Sequence, residues 1–361
     1  MAKRAVASCM CLLALAVASP APKEARAGTT KWGYVDKKWG YVDKTGDMIV
    51  EPQFTDAKPF FEGLAAVAKD GEWGFVDKKW GYIDKTGDMI IQPQFSDARS
   101  FSDALASVEL GDKWGYIDKA GKMVIGPRFD DARSFSEGLG AVKSGRKWGY
   151  IDKAGKMVIG PRFDKAWSFI EGLASVKVGG KWGYIDRTGK LAIEAQFDWT
   201  SVFSEGLAFV VLRRKSGYID KAGKMVIEPR FDDAGSFSEG LAAVRSGRKW
   251  GYIDKTGEVI IEPQFTRVFW FSDALAPVEV RGKWGYIDKA GKMVIEPRFP
   301  SAGSFHDGLA LVAGKASRSG LRRVTTDWGY IDNTGKVVIE LRFEEAWYFS
   351  EGLAGVAIVV E

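Results

Sequence analysis

Histidine is the scarcest reactive residue in this chain of 361 residues, with His306 the single example. A His-ligated metal site or a Ser-His-Asp triad therefore has almost no material. His306 stands in Phe305-His306-Asp307-Gly308, where other copies of the same phrase carry Ser before the acid, and it reads as a surface-turn residue. Aspartate recurs at Asp43, Asp84, Asp118, Asp152, Asp186, Asp220, Asp254, Asp288 and Asp332. Calcium needs about six to eight oxygens, usually from several carboxylates in one loop. Asp-Lys-x-Gly-Lys offers one carboxylate beside two cations, so a turn-forming role is expected. Glu137, Glu171, Glu205 and Glu239 each precede a glycine. Paired carboxylates can hydrolyse glycosides, but an acid present in every copy answers a structural demand of every copy. No catalytic, metal or cofactor residue is assigned, and the chain reads as a non-enzyme.

Binding chemistry has more material. Lys113, Lys147, Lys181 and Lys249 precede Trp, and Lys119, Lys153 and Lys221 follow Asp, giving two basic rows with acids close by. Trp114, Tyr116, Trp148, Tyr150, Trp182 and Tyr184 form an aromatic row. Exposed, it would stack on sugar rings or quaternary amines; buried, it would be the core, which is the expectation here. The segment from Ala313 to Asp327 carries Lys315, Arg318, Arg322 and Arg323 against Asp327 alone. It reads as a solvated hairpin tip, or as a basic finger for an anionic partner.

All of these positions are set by one period. Trp80, Trp114, Trp148 and Trp182 are 34 residues apart, and Ser216, Trp250 and Trp284 continue the interval. Trp39 starts an earlier unit, and Trp328 a last one after a gap of 44. Trp114-Gly115-Tyr116-Ile117 favours a strand, Asp118 to Lys122 a hairpin, and Met123-Val124-Ile125 the returning strand. Pro127 is expected to end that ladder. Phe129 and Phe135 bracket a polar connector, and Leu139-Gly140-Ala141-Val142 is a third strand. No apolar stripe of helical spacing survives the Gly and Pro punctuation. The fold class is therefore all-β: a tandem array of about nine antiparallel β-meander units that bury their apolar sides against neighbours. Ser216 vacates a Trp-sized space, with Trp199 and Phe209 as candidate fillers. The first Trp-Gly strand, at Trp32, and the final Leu353-to-Val360 strand each lack a partner. Their pairing would close a propeller-like ring; an open superhelical solenoid is the architecture expected here.

Trp-Gly-Tyr-Ile-Asp-Lys-x-Gly, then Pro-x-Phe, then Phe-Ser-Glu-Gly-Leu-Ala, resembles the WG-containing (KWG) repeat family over nearly all of residues 31–361. The resemblance implies a bacterial, often exported protein of variable copy number and brings no catalytic residues. Export is also read from the N-terminus. Lys3 and Arg4, the apolar run Ala5 to Ala18, and Ala25-Arg26-Ala27 before Gly28 have the order of a secretory signal, leaving a repeat domain over 28–361. The run is too short for a membrane span. Both cysteines, Cys9 and Cys11, fall in the signal segment. Removing residues 1–27, with four cations and one anion, leaves a net charge of +2. That charge gives no electrostatic reason to bind nucleic acid. The sequence thus predicts a periplasmic or extracellular scaffold that binds a protein or an envelope component. Glycan binding by exposed Trp and Tyr rows is the alternative.

Overall fold

The computed structural model describes residues 37–71, 74–314 and 327–359. Among them the strands form nine four-stranded antiparallel sheets. Blade 3 is representative. Its strands a to d are Asp131–Ala132, Gly140–Ser144, Lys147–Ile151 and Met157–Phe163. The expected three-stranded meander therefore gains a fourth strand, only two residues long, from the connector after Phe129. Sheet boundaries also fall between d and the next a, rather than at the Trp that begins each sequence unit. Blades 1 to 8 start at Asp56, Asp97, Asp131, Lys165, Trp199, Asp233, Arg267 and Ala302.

The ninth blade corrects the expectation of an open array. Its a and b strands, Glu345–Ala346 and Ala354–Val359, come from the end of the chain. Strands c and d, Lys37–Val42 and Met48–Phe54, come from the beginning. The two pairs join in continuous antiparallel register from Lys37↔Val359 to Val42↔Ala354. Two half-blades with unsatisfied backbone edges complete each other, so the ring closes. Trp39 supplies the closing strand; Trp32 lies outside the described residues.

Nine apolar clusters hold the ring, each shared by successive blades. Between blades 2 and 3, for example, Trp114, Tyr116, Ile125 and Phe129 meet Ala132, Phe135, Val142 and Ile151. Each such side chain contributes roughly 1.5–3 kcal/mol when buried. No blade owns a complete core.

The Trp-Gly pair has a specific cause. Strand d does not stop at its proline but continues through it, bulging between Tyr150↔Ile159 and Trp148↔Phe163. The bulge carries the d backbone across the c strand at its glycine. A Cβ on Gly149 would lie 2.4 Å from the Ile159 carbonyl oxygen, and one on Gly251 2.3 Å from that of Ile261. Proline is tolerated because d is the outer edge strand.

Candidate functional site

The recurrent polar residues hold the ring together. Every repeat Asp named from the sequence accepts bonds at its Oδ1 from backbone N–H groups two and four residues on, such as Ala154 and Lys156 for Asp152. An added threonine hydroxyl bond holds the carboxyls of Asp43, Asp84, Asp186, Asp254 and Asp332 below the usual range. The acid of each second turn, before Gly or, at Asp103 and Asp273, before Ala, accepts from a backbone N–H of the next blade, as Glu137 does from Gly172 and Glu351 from Gly63. These acids sit at φ of 52–55°, a left-handed strain that the inter-blade bonds offset. Each repeat tyrosine donates its hydroxyl to a carbonyl 17 residues on, at the inner strand of the next blade: Tyr41 to Lys58, Tyr116 to Arg133, Tyr330 to Trp347. Burial pushes these phenols well above their ordinary pKa. Of the basic rows, Lys113, Lys147 and Lys181 are paired with Asp130, Asp164 and Asp198, while Lys119 and Lys221 are paired with Glu62 and Glu171.

The candidate aromatic row is interior. Trp114 and Trp148 are 6% exposed and Trp182 1%, while Tyr116, Tyr150 and Tyr184 are fully buried. A glycan platform made of these six has no outer face to offer. Lys315, Arg318, Arg322 and Arg323 lie outside the described residues.

Open aromatic surface lies elsewhere, at the inner ends of the blades. Trp167 of blade 4, Trp199 and Val202 of blade 5, Gly235 of blade 6, and Phe269 and Trp270 of blade 7 line one cleft of about 280 Å³. Blades that are not neighbours can share a cleft only at the centre of a ring, so the short a strands face the axis. A second cleft, of about 310 Å³, is lined by Phe269 and Trp270, Gly303 and His306 of blade 8, Trp328, and Trp347 and Tyr348 of blade 9. His306 is therefore not the surface-turn residue expected. Its ring centroid lies 4.6 Å from that of Tyr348. Burial pushes its pKa down, against the opposing pull of Asp273 and Asp307.

One position per blade decides where the clefts open. The residue after the inner Ala, Thr or Val of each a strand (Lys58 after Ala57, Arg99 after Ala98, and Gly303 within the longer Ala302–His306 strand of blade 8) faces the residue that opens the Trp-Gly pair of strand c in the same blade. Lys58 lies 4.5 Å from the Trp80 ring centre, Arg99 4.5 Å from Trp114, and Arg133 5.1 Å from Trp148. In blade 7 Phe269 stacks on Trp284, and in blade 9 Trp347 stacks on Trp39. In blade 4 Trp167 packs against the cluster of Trp182. Blades 6 and 8 have Gly235 and Gly303 there, and blade 5 has Ser201 beside Ser216. Those are the blades where the clefts open. The candidate fillers for Ser216 divide: Phe209 packs on the Tyr218–Phe231 core, whereas Trp199 leans edge-on to Trp182 and stays 37% exposed. Repetition in the sequence draws attention to the constant columns, and this one varies. Comparing the residue after the inner Ala, Thr or Val of strand a across the nine copies exposes it.

Nine sheets joined in a closed ring by a blade shared between both ends of the chain define a β-propeller. The family model of the WG containing repeat matches residues 39–73, 80–114, 114–148, 148–182, 182–215, 217–250, 250–284, 284–313 and 328–358. The chain belongs to that family. No curated protein matches it. Among solved structures, Kluyveromyces lactis Hsv2p is similar at 11% identity and a TM-score of 0.41, over 64% of this chain and 92% of that one. Dihydro-heme d1 dehydrogenase NirN, in complex with DHE, is similar at 15% identity and a TM-score of 0.45, over 84% and 77%. Puromycin hydrolase is similar at 10% identity and a TM-score of 0.40, over 78% and 53%. At this level of likeness none bears on what the chain does.

Proposed function

We propose that the protein is an exported, non-catalytic binding scaffold that engages a protein or envelope component through the inner mouth of the ring. The carrying observation is the pair of aromatic clefts where the covering side chain is missing. A concave aromatic surface left uncovered is where burial of an occupant gains the most hydrophobic free energy. The non-catalytic part is supported by the carboxylates: the acids repeated in every blade are committed to turn and inter-blade backbone bonds. Export rests on the order of charge, apolar run and small-residue site in residues 3–27.

Filling both clefts tests the reading. The chain and a Gly235→Arg/Gly303→Arg variant are immobilised side by side and offered an envelope extract of the source cells. The expected result is a ligand retained by the first and released by the second at equal thermal stability. Identical capture by both would remove the inner mouth from the account.

A further inference from the structure

Gly235 and Gly303 are not glycines of backbone necessity. Neither appears among the positive-φ residues. A Cβ on Gly235 would meet nothing nearer than 3.8 Å, and one on Gly303 would likewise meet only ordinary contacts at 3.8 and 4.0 Å. Other blades place Lys, Arg, Phe or Trp at the same point. What these glycines do is leave a side-chain seat vacant. The occupied seats show what such a seat holds.

In blades 1 and 2 the occupant is a cation held on two sides. Lys58 lies over Trp80 and 3.5 Å from Asp97, the first residue of the next blade. Arg99 lies over Trp114 and 2.9 Å from Asp131, again the first residue of the next blade. An aromatic face and a carboxylate together suit an organic cation: the ring quadrupole attracts its charge, and the carboxylate pairs with it.

The two vacant seats differ in this second element. Next to Gly303 the corresponding residue is Glu345, which lines the cleft. Next to Gly235 it is Arg267, bound to Glu279 at 2.6 Å. The Gly235 seat is also partly claimed, since Arg245 reaches to 5.8 Å from Trp250. Among the described residues, only the blade 8 seat repeats the Trp-plus-carboxylate pattern without a cation over its Trp. Its walls add Phe269, Trp270, Trp347 and Tyr348. Glu345 is paired with Lys37 at 3.0 Å, but both partners are well exposed, and such a pair yields readily to a better-placed cation.

We infer that the cleft between blades 7 and 9, with Trp328 behind Gly303 and Glu345 at its edge, is a receptor for an organic cation, either a guanidinium or an alkylated ammonium group. This rests on the proposed binding role of the inner mouth and adds the class of ligand. The cation enters as Arg99 enters its own blade, over the indole and toward the carboxylate. Its source is either a free small molecule or the side chain of a partner protein.

The full chain, labelled with nitrogen isotope at its indoles, is titrated with tetramethylammonium, with N-acetyl-arginine methylamide, with an Arg-containing tripeptide, and with the citrulline analogue of the second. Saturable shifts of the Trp270, Trp328 and Trp347 indole signals are expected for the three cations, and far weaker binding for neutral citrulline. Tighter binding of the tripeptide points to a protein side chain; tighter binding of tetramethylammonium points to a small alkylammonium. Gly303→Arg, which seats the chain's own guanidinium, should abolish the shifts. Glu345→Gln, an exposed change that leaves the core intact, should weaken the cations about threefold and leave citrulline unchanged. Replacing Lys315, Arg318, Arg322 and Arg323 by Ser tests cations close to Trp328 in sequence. Equal or higher affinity is expected, whereas lost affinity would move recognition to that segment and overturn the seat. Equal binding of arginine and citrulline, or no saturable shift, would also overturn it. If cations fail to bind while the doubly filled variant still loses its captured ligand, the inner-mouth reading stands and only the cation class falls.

Discussion

Blades 1 to 3 and blades 5, 6 and 8 share the same strands, the same Tyr-to-carbonyl bonds and the same acid-to-amide bonds. They differ at the residue after the inner Ala or Thr of strand a, where Lys58, Arg99 and Arg133 in the first set correspond to Ser201, Gly235 and Gly303 in the second. The first arc covers its tryptophans with its own cations; the second leaves cleft space. In a ring of near-identical modules the repeated columns carry cohesion. A column free to vary without harming the fold is the one the proposed binding role would use.

That division predicts that damage to a repeated column is large and independent of arc. Gly149→Ala in the first arc and Gly251→Ala in the second each push a Cβ against a carbonyl oxygen. Both should cost about 3 kcal/mol in chemical denaturation. A marked difference between them would mean that the arcs do not share one scaffold.

The variable column should behave otherwise. Arg99→Gly removes a cation–π contact and an ion pair, both partly exposed, and should cost about 1 kcal/mol. It should also create in blade 2 a new seat for tetramethylammonium, seen as a shift of the Trp114 indole signal. A stable variant without that shift would break the link between the missing side chain and the seat.

The smallest expected effect is a pH slope confined to the second arc. Burial holds the folded pKa of His306 below the unfolded value of 6.5. The unfolded chain therefore takes up the proton first, and stability rises with pH across the window between the two values. The contribution of the neutral ring is complete above about pH 6.5 and is lost as pH falls from there toward the folded pKa. His306→Gln should flatten that part of the stability profile, leaving the acid limb set by Asp43, Asp84 and their equivalents. An unchanged slope between pH 7 and 5 would place the ring in water.

Much of the fold could be read from the repeat. Strand type, hairpin chemistry and buried Trp-Tyr bulk follow from residue pattern, and the turn role of Asp118 and its equivalents follows from one carboxylate beside two cations. The two-residue inner strand was hidden because Asp131-Ala132 carries no alternation for a period-two signal. The open solenoid expected from the sequence is overturned, because two unpaired half-blades are compatible with either array and only their pairing distinguishes them. The ladder from Lys37↔Val359 to Val42↔Ala354 is that pairing. Proline continues strand d rather than ending it because the bulge that admits it depends on a glycine one strand away, at Gly149 for Pro161. The clefts were illegible for a different reason: Gly235 and Gly303 matter by what they lack, relative to neighbours brought together only by the ring.

Everything at the inner mouth depends on the two ends of the chain sharing one blade. Lys38 and Ile358 are cross-strand partners at that seam. A chain with Lys38→Cys and Ile358→Cys, and with Cys9 and Cys11 changed to Ser, is oxidised at low concentration and examined by mass and gel mobility. A closed ring predicts an intramolecular disulfide in a monomer that unfolds at higher temperature than its reduced form. Free thiols, or disulfides found only between chains, would contradict the closed propeller.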